Sequence, residues 1–142
     1  MYLVIGYGNT LRSDDGVGWR VAEQVEDWQW PGVRSLACHQ LTPELAADMA
    51  PVATVIFVDA VSADLMPQVQ IEPLQPSQQQ ASLGHFSQPR SLLALTQALY
   101  SHTPTAYAIW IPAANFEFGE QLSSLAQAGA LQALEIIQNL VK

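Results

Sequence analysis

Positive charge is scarce in this sequence. Arg12, Arg20, Arg34, Arg90 and Lys142 are the only fixed cations against 13 acidic residues, giving a formal net charge of −8. Such a surface repels nucleic-acid phosphates and anionic lipid headgroups, so neither is expected as a partner, and a basic or metal-bearing one is favoured. Cysteine is nearly absent as well. The one thiol, Cys38, has no partner for an internal disulfide and cannot supply a cysteine zinc cage, which suits a reducing cytoplasm. No apolar run approaches the roughly 20 residues that cross a bilayer. The opening run Tyr2–Ile5 is too short for a secretory leader and lacks its basic lead-in, so a cytoplasmic protein is expected. Hydrophobic residues make up 49% of the chain and charged ones 13%, a rather apolar globular composition. At 142 residues the expectation is one domain, 1–142, with a core large enough to fold without disulfides or structural metal.

Apolar periodicity orders the chain into alternating strands and helices. Tyr2–Ile5 reads as a buried strand ended by Gly6, and a glycine-rich polar loop follows. Val17, Val21, Val25 and Trp28 then recur at helical spacing until Pro31 and Gly32 stop them. Val33–Ala37 is a candidate strand, and Thr42 a candidate N-cap for a short helix over Pro43–Met49. Thr54–Val58 is continuously apolar, as a strand buried on both faces must be, and it ends at Asp59. Val69–Ile71 lies between Pro67 and Pro73 and reads as an edge strand. Leu74–Gln88, rich in Gln, Pro and Ser, reads as a long surface loop of the kind that often carries function. Leu92, Leu95 and Leu99 mark another helix and Tyr107–Ile111 another strand. Leu122, Leu125, Leu134, Ile137 and Val141 mark a terminal helix of about five turns. The order predicts an α/β domain: a mostly parallel, twisted sheet of about five strands with helices on both faces.

In such sheets, ligands gather at the carboxyl ends of the strands. Asp14 and Asp15 lie in the loop after the first strand, and Asp59 ends the most apolar one. A carboxylate beside a buried strand is costly unless something pairs with it, although a turn or helix-cap role explains a single Asp equally well. Gly6-Tyr7-Gly8 begins like a dinucleotide fingerprint, but Gly16 and Gly18 fall too late for it and two carboxylates would repel a pyrophosphate. The loop looks built to place carboxylates, with glycines permitting close approach of another chain. His85 draws interest through its company, since two carboxylates and an imidazole suit a borderline divalent ion such as nickel or zinc. His39 and His102 lack that context, and Cys38 reads as an ordinary half-buried thiol.

The segment Gly6-Tyr7-Gly8-Asn9-Thr10-Leu11-Arg12-Ser13-Asp14-Asp15-Gly16-Val17-Gly18 resembles the opening signature of the endopeptidases that mature nickel–iron hydrogenases. In that family the second acid of the pair is a metal ligand, which corresponds to Asp15. A second ligand, an aspartate ending an apolar strand, corresponds to Asp59, and a histidine in the loop before the next helix corresponds to His85. Motif order, spacing and length agree over essentially the whole chain. One stretch departs: many members carry Asp-Gly-Gly-Thr after the second strand, where this chain has Ala37-Cys38-His39-Gln40-Leu41-Thr42-Pro43-Glu44. That stretch is similar to the branch serving cytoplasmic bidirectional hydrogenases.

The resemblance implies an aspartic-type endopeptidase that removes a C-terminal peptide from the precursor large subunit of a nickel–iron hydrogenase. It implies no permanent cofactor, because the nickel arrives in the substrate and is sensed through Asp15, Asp59 and His85. Two routes to cleavage stay open, water activated by the ion or a carboxylate acting as base. Both need a neutral imidazole and ionised carboxylates, so activity should fall below the free histidine pKa of about 6.5. Asp14 is expected to be dispensable for cleavage, and as a cap of the first helix its loss would cost about 1 kcal/mol. Two alternatives from other classes stand beside this expectation: a non-catalytic nickel chaperone or docking module, and a small nucleotide-handling α/β enzyme.

Overall fold

Alternate residues of the central strands bury on opposite faces, and this alternation sets the architecture. The structure, a computed structural model, describes residues 1–77 and 88–142. Its strands are β1 (Tyr2–Tyr7), β2 (Val33–Cys38), β3 (Thr54–Ser62), β4 (Gln70–Leu74) and β5 (Thr105–Ala113), in the order β2-β1-β3-β5-β4. All pairs are parallel except β4 with β5. The helices are α1 (Val17–Trp28), α2 (Leu45–Met49), α3 (Pro89–Tyr100) and α4 (Ser124–Val141). On one face Leu3, Ile5, Val55 and Phe57 pack with Met49, Leu92 and Leu93 of α2 and α3. On the other, Val4, Ile56, Val58, Ile109 and Ile111 pack with α1 and α4. The predicted α/β class, strand number and two-sided cover are all present.

Several local expectations are corrected. Strand β3 does not end at Asp59 but runs to Ser62, because Asp59–Ser62 still pair with Trp110–Ala113 of β5. On its other side β3 outruns β1, whose last partner is Val58, so Asp59 still lies at the carboxyl edge. Thr42 does not cap α2 with its side chain; the helix begins at Leu45 after a turn in which the Leu45 N–H donates to the Thr42 carbonyl. The helical leucines mark the buried stripes only in part: Leu92 is buried and Leu95, Leu122 and Leu134 pack half-buried against the core. Leu99 is exposed at the end of α3, and α4 buries Ala126, Gly129, Ala133 and Ile137 while Leu125 stays exposed. Small residues line α4 because it lies close on β5: a Cβ at Gly129 would sit 2.6 Å from Ile111 Cγ2.

The glycines of the first loop serve close contacts within the chain. A Cβ on Gly18 would collide with the carbonyl oxygen of Val58 and lie 2.7 Å from that of Tyr7, and one on Gly6 would collide with the Gly18 carbonyl. These contacts seat the start of α1 on the carboxyl ends of β1 and β3. Gly18→Ala is therefore expected to destabilise the protein by on the order of 3 kcal/mol, read as a lower urea midpoint. An unchanged midpoint would mean that α1 can lift off the sheet without cost.

Candidate active site

Strand register explains how the carboxyl edge acquires its side chains. Tyr7 pairs with Cys38 and Asp59 with Trp110, while Gly6 opposite Val58 places Tyr7 beside Asp59. With a side-chain period of two, Cys38, Tyr7, Asp59 and Trp110 form a row across β2, β1, β3 and β5, on the face that packs against α2 and α3. The Trp110 indole N–H extends the row to β4 by donating to Glu72 Oε1 at 2.9 Å. Beside Asp59 a cleft is lined by Tyr7, Glu72, Leu74, Pro89 and Trp110.

Asp59 is the perturbed carboxylate of this row. Its Oδ1 accepts the Ala60 N–H at 2.7 Å. Burial pushes its pKa up to about 6, against the opposing pull of the Ala60 N–H and the Tyr7 hydroxyl, and the nearby Asp15 charge raises it further. The phenol of Tyr7 is held well above its usual range, first by burial and then by the Asp59 charge and their mutual hydrogen bond. Tyr7 is thus a permanent donor aimed at Asp59. Asp15 reaches the same place from the short 3-10 turn Ser13–Gly16. Its Oδ2 accepts the Asn9 N–H at 2.8 Å, while Asn9 Oδ1 accepts the Leu11 N–H at 2.9 Å, so the loop folds around the carboxylate it carries.

Asp14, one residue earlier, has a different task. It is fully buried, and it accepts four hydrogen bonds: from the N–H groups of Ala114 (2.8 Å), Asn115 (3.1 Å) and Ser123 (2.7 Å), and from the Ser123 hydroxyl (2.7 Å). Burial alone would raise its pKa, but these donors together hold it below the usual value. Ser123 in turn is the N-cap of α4, its Oγ accepting the Ala126 N–H at 3.2 Å. Asp14 therefore does not cap α1, as the sequence suggested. It ties the loop after β1 to the loop after β5.

The 3-10 turn that carries Asp15 packs against β3, near enough for the Asp15 charge to raise the Asp59 pKa. His85, the third predicted residue, lies outside the described residues. The described ends of its loop meet beside Asp59: the Ser77 N–H donates to the Arg90 carbonyl at 3.0 Å, Arg90 Nε donates to the Gln75 carbonyl at 3.0 Å, and Gln88, Pro89 and Arg90 border the cleft. Among the described residues, no three His, Cys, Asp or Glu side chains are grouped to hold a metal ion. His39 stacks on Trp19 at 4.8 Å, and His102 Nε2 lies 2.8 Å from the Val52 carbonyl oxygen. Burial raises the Cys38 thiol, which keeps it protonated and unreactive. Tyr7, Trp110 and Glu72 were missed from sequence. The signal for Tyr7 was present, since it sits two residues after buried Ile5 with the same strand parity.

No family model and no curated protein sequence matches this chain. Solved structures do. The [NiFe] hydrogenase maturation protease HybD from Thermococcus kodakarensis is 23% identical and superposes with a TM-score of 0.79 over 99% of each chain. The hydrogenase maturating endopeptidase HybD from E. coli is 22% identical, with a TM-score of 0.76 over 96% of this chain and 88% of its own. The [NiFe] hydrogenase maturation protease HycI from Thermococcus kodakarensis KOD1 is 22% identical, with a TM-score of 0.75 over the same shares. The likeness is one of fold: this chain has the fold of the hydrogenase maturation proteases.

Proposed function

We propose that this protein is a hydrogenase maturation endopeptidase, which removes a C-terminal peptide from the nickel-loaded precursor large subunit of a nickel–iron hydrogenase. The observation that carries the proposal is the nearness of Asp15 to Asp59 at the carboxyl edge of a sheet with this fold. Two carboxylates held near each other in an acidic protein repel until a cation arrives. Burial is the main cause that raises Asp59 to about 6, and the Asp15 charge adds to it. Each carboxylate has one oxygen fixed by a backbone N–H, from Asn9 or Ala60, which orients the side chain toward its target. His85 is proposed as the third group. It stands three residues before Gln88, which borders the cleft.

Oxygen and nitrogen donors without a thiolate bind a borderline ion modestly, so the nickel belongs to the substrate and no resident cofactor is proposed. The ion's role at the site is to polarise the reacting groups near the bond to be cut. The chain's own residues hold the loaded segment, and Tyr7 keeps the Asp59 carboxylate oriented. The same proposal puts the protein in the cytoplasm. Among the described residues no helix is long and apolar enough to cross a membrane.

The test is binding of the precursor with and without nickel, by calorimetry or pull-down. We expect tight binding of the loaded form, weak binding of the empty form and of free nickel, and loss of most of the difference in His85→Ala. Equal binding of both forms, together with stoichiometric nickel on the purified protein and an intact precursor, would instead identify a nickel chaperone.

A further inference from the structure

Among the described residues, three other than glycine have φ in the left-handed region: Ser13 (52°), Gln29 (53°) and Ser101 (55°). Gln29 and Ser101 follow the last turns of α1 and α3, where a left-handed residue commonly closes a helix. Ser13 closes no helix. It is buried, and it takes the second position of the turn in which the Asp15 N–H donates to the Arg12 carbonyl at 3.1 Å. A positive φ at that position suits glycine, asparagine or aspartate, because a Cβ crowds the following carbonyl. The serine is held there by three ties to the loop after β5. Its N–H donates to the Gly119 carbonyl at 2.7 Å, its hydroxyl to the Glu117 carbonyl at 2.8 Å, and the next N–H, that of Asp14, to the Asn115 carbonyl at 2.9 Å.

A strained conformation persists where the surrounding structure over-determines it, and such places cluster at functional sites. Here the strain falls two residues before Asp15. The φ of Ser13 sets the direction in which the chain turns from Arg12, which is bridged to Gly119, into the 3-10 turn. Beyond it the Asp15 carboxylate accepts the Asn9 N–H at 2.8 Å, and the Asp15 carbonyl oxygen lies where a Cβ on Gly8 would collide with it. The position of Asp15 is therefore fixed from both sides. We propose that Ser13 is a positioning residue: its left-handed backbone, clamped by the Glu117 and Gly119 carbonyls, aims the Asp15 carboxylate at the nickel-bearing segment of the precursor. The buried hydroxyl is committed to the Glu117 carbonyl and touches no substrate. This inference rests on the proposed function and adds to it the residue that presents Asp15.

Two substitutions separate the backbone from the hydroxyl. Cleavage of nickel-loaded precursor is measured at a temperature where circular dichroism shows each variant folded. Ser13→Gly removes the hydroxyl but adopts the turn without strain. Ser13→Thr keeps the hydroxyl but opposes the turn, because a β-branched residue at positive φ is a steric outlier. We expect Ser13→Gly to retain kcat within about 3-fold and Ser13→Thr to lose about 100-fold, the scale of a displacement of about 1 Å near a reacting group. If Ser13→Thr does not fold, Ser13→Ala, which adds no volume, takes its place. Its kcat should lie about 10-fold below that of Ser13→Gly, although both lack the hydroxyl. Activity lost in Ser13→Gly and kept in Ser13→Thr would overturn the inference while the proposed function stands. So would equal kcat in both variants, whether retained or lost. A kcat that falls in step with melting temperature across the set, Ser13→Gly included, would overturn it too, by making Ser13 a residue of the fold alone. Wild type that leaves the nickel-loaded precursor uncut overturns the proposed function and this inference with it.

Discussion

Asp59→Asn is expected to reduce precursor cleavage by at least about 100-fold, the scale of losing an essential carboxylate, without lowering the melting temperature. The stability half of this expectation follows from the sign of the Asp59 shift. Its pKa is about 6 in the fold against an ordinary 3.8, so the folded state holds the proton more tightly than the unfolded chain. The stability this contributes is present below pH about 4 and is lost as pH rises through about 6. The difference corresponds to roughly 3 kcal/mol at most. At neutral pH wild type carries that cost, and a permanently neutral Asn does not. Active enzyme with Asn at this position would show that Asp59 takes no part in the chemistry, and a lowered melting temperature would show that its charge supports the fold.

Asp14→Ala is expected to act in the opposite sense, on stability first. It would strip four donors of their acceptor at a fully buried position. The cost of such orphaned groups is on the order of 3–5 kcal/mol, or a fall in melting temperature of roughly 10 °C. The depressed Asp14 pKa gives the matching pH signature. Its contribution is present above the unfolded value of about 4 and is lost as pH falls through the lower folded one. Asp15→Ala, which frees only the Asn9 N–H, should leave the fold nearly as stable while abolishing cleavage. Thermal melts and cleavage assays on both variants check the division. A loss of only about 1 kcal/mol in Asp14→Ala would return Asp14 to the helix-cap role suggested by sequence.

The contrast between adjacent aspartates marks how far the sequence could be read. Asp15 and Asp59 could be singled out as candidates because local signals surround them, a glycine loop for one and a run of five apolar residues for the other. The role of Asp14 could not be read, because its partners lie 100 to 109 residues away. Trp110 and Glu72 were invisible for a related reason: which side chains stand beside Asp59 depends on register between strands far apart in the chain. The fold class needed only the alternation of apolar runs. The end of β3 was misjudged because Ala60–Ser62 lack an apolar run of their own and are strand only through pairing with β5. In α4, the apolar periodicity found the core-facing side through Leu122, Leu134, Ile137 and Val141 but missed Ala126, Gly129 and Ala133, since close approach to β5 selects small residues.

The central claim is tested most directly by incubating the purified protein with nickel-loaded and nickel-free precursor and weighing the products by mass spectrometry. We predict that the loaded precursor alone is shortened by one C-terminal peptide, and that it stays intact with Asp15→Ala or Asp59→Asn. An unchanged mass for the loaded precursor, or equal shortening of the nickel-free form, would contradict the account.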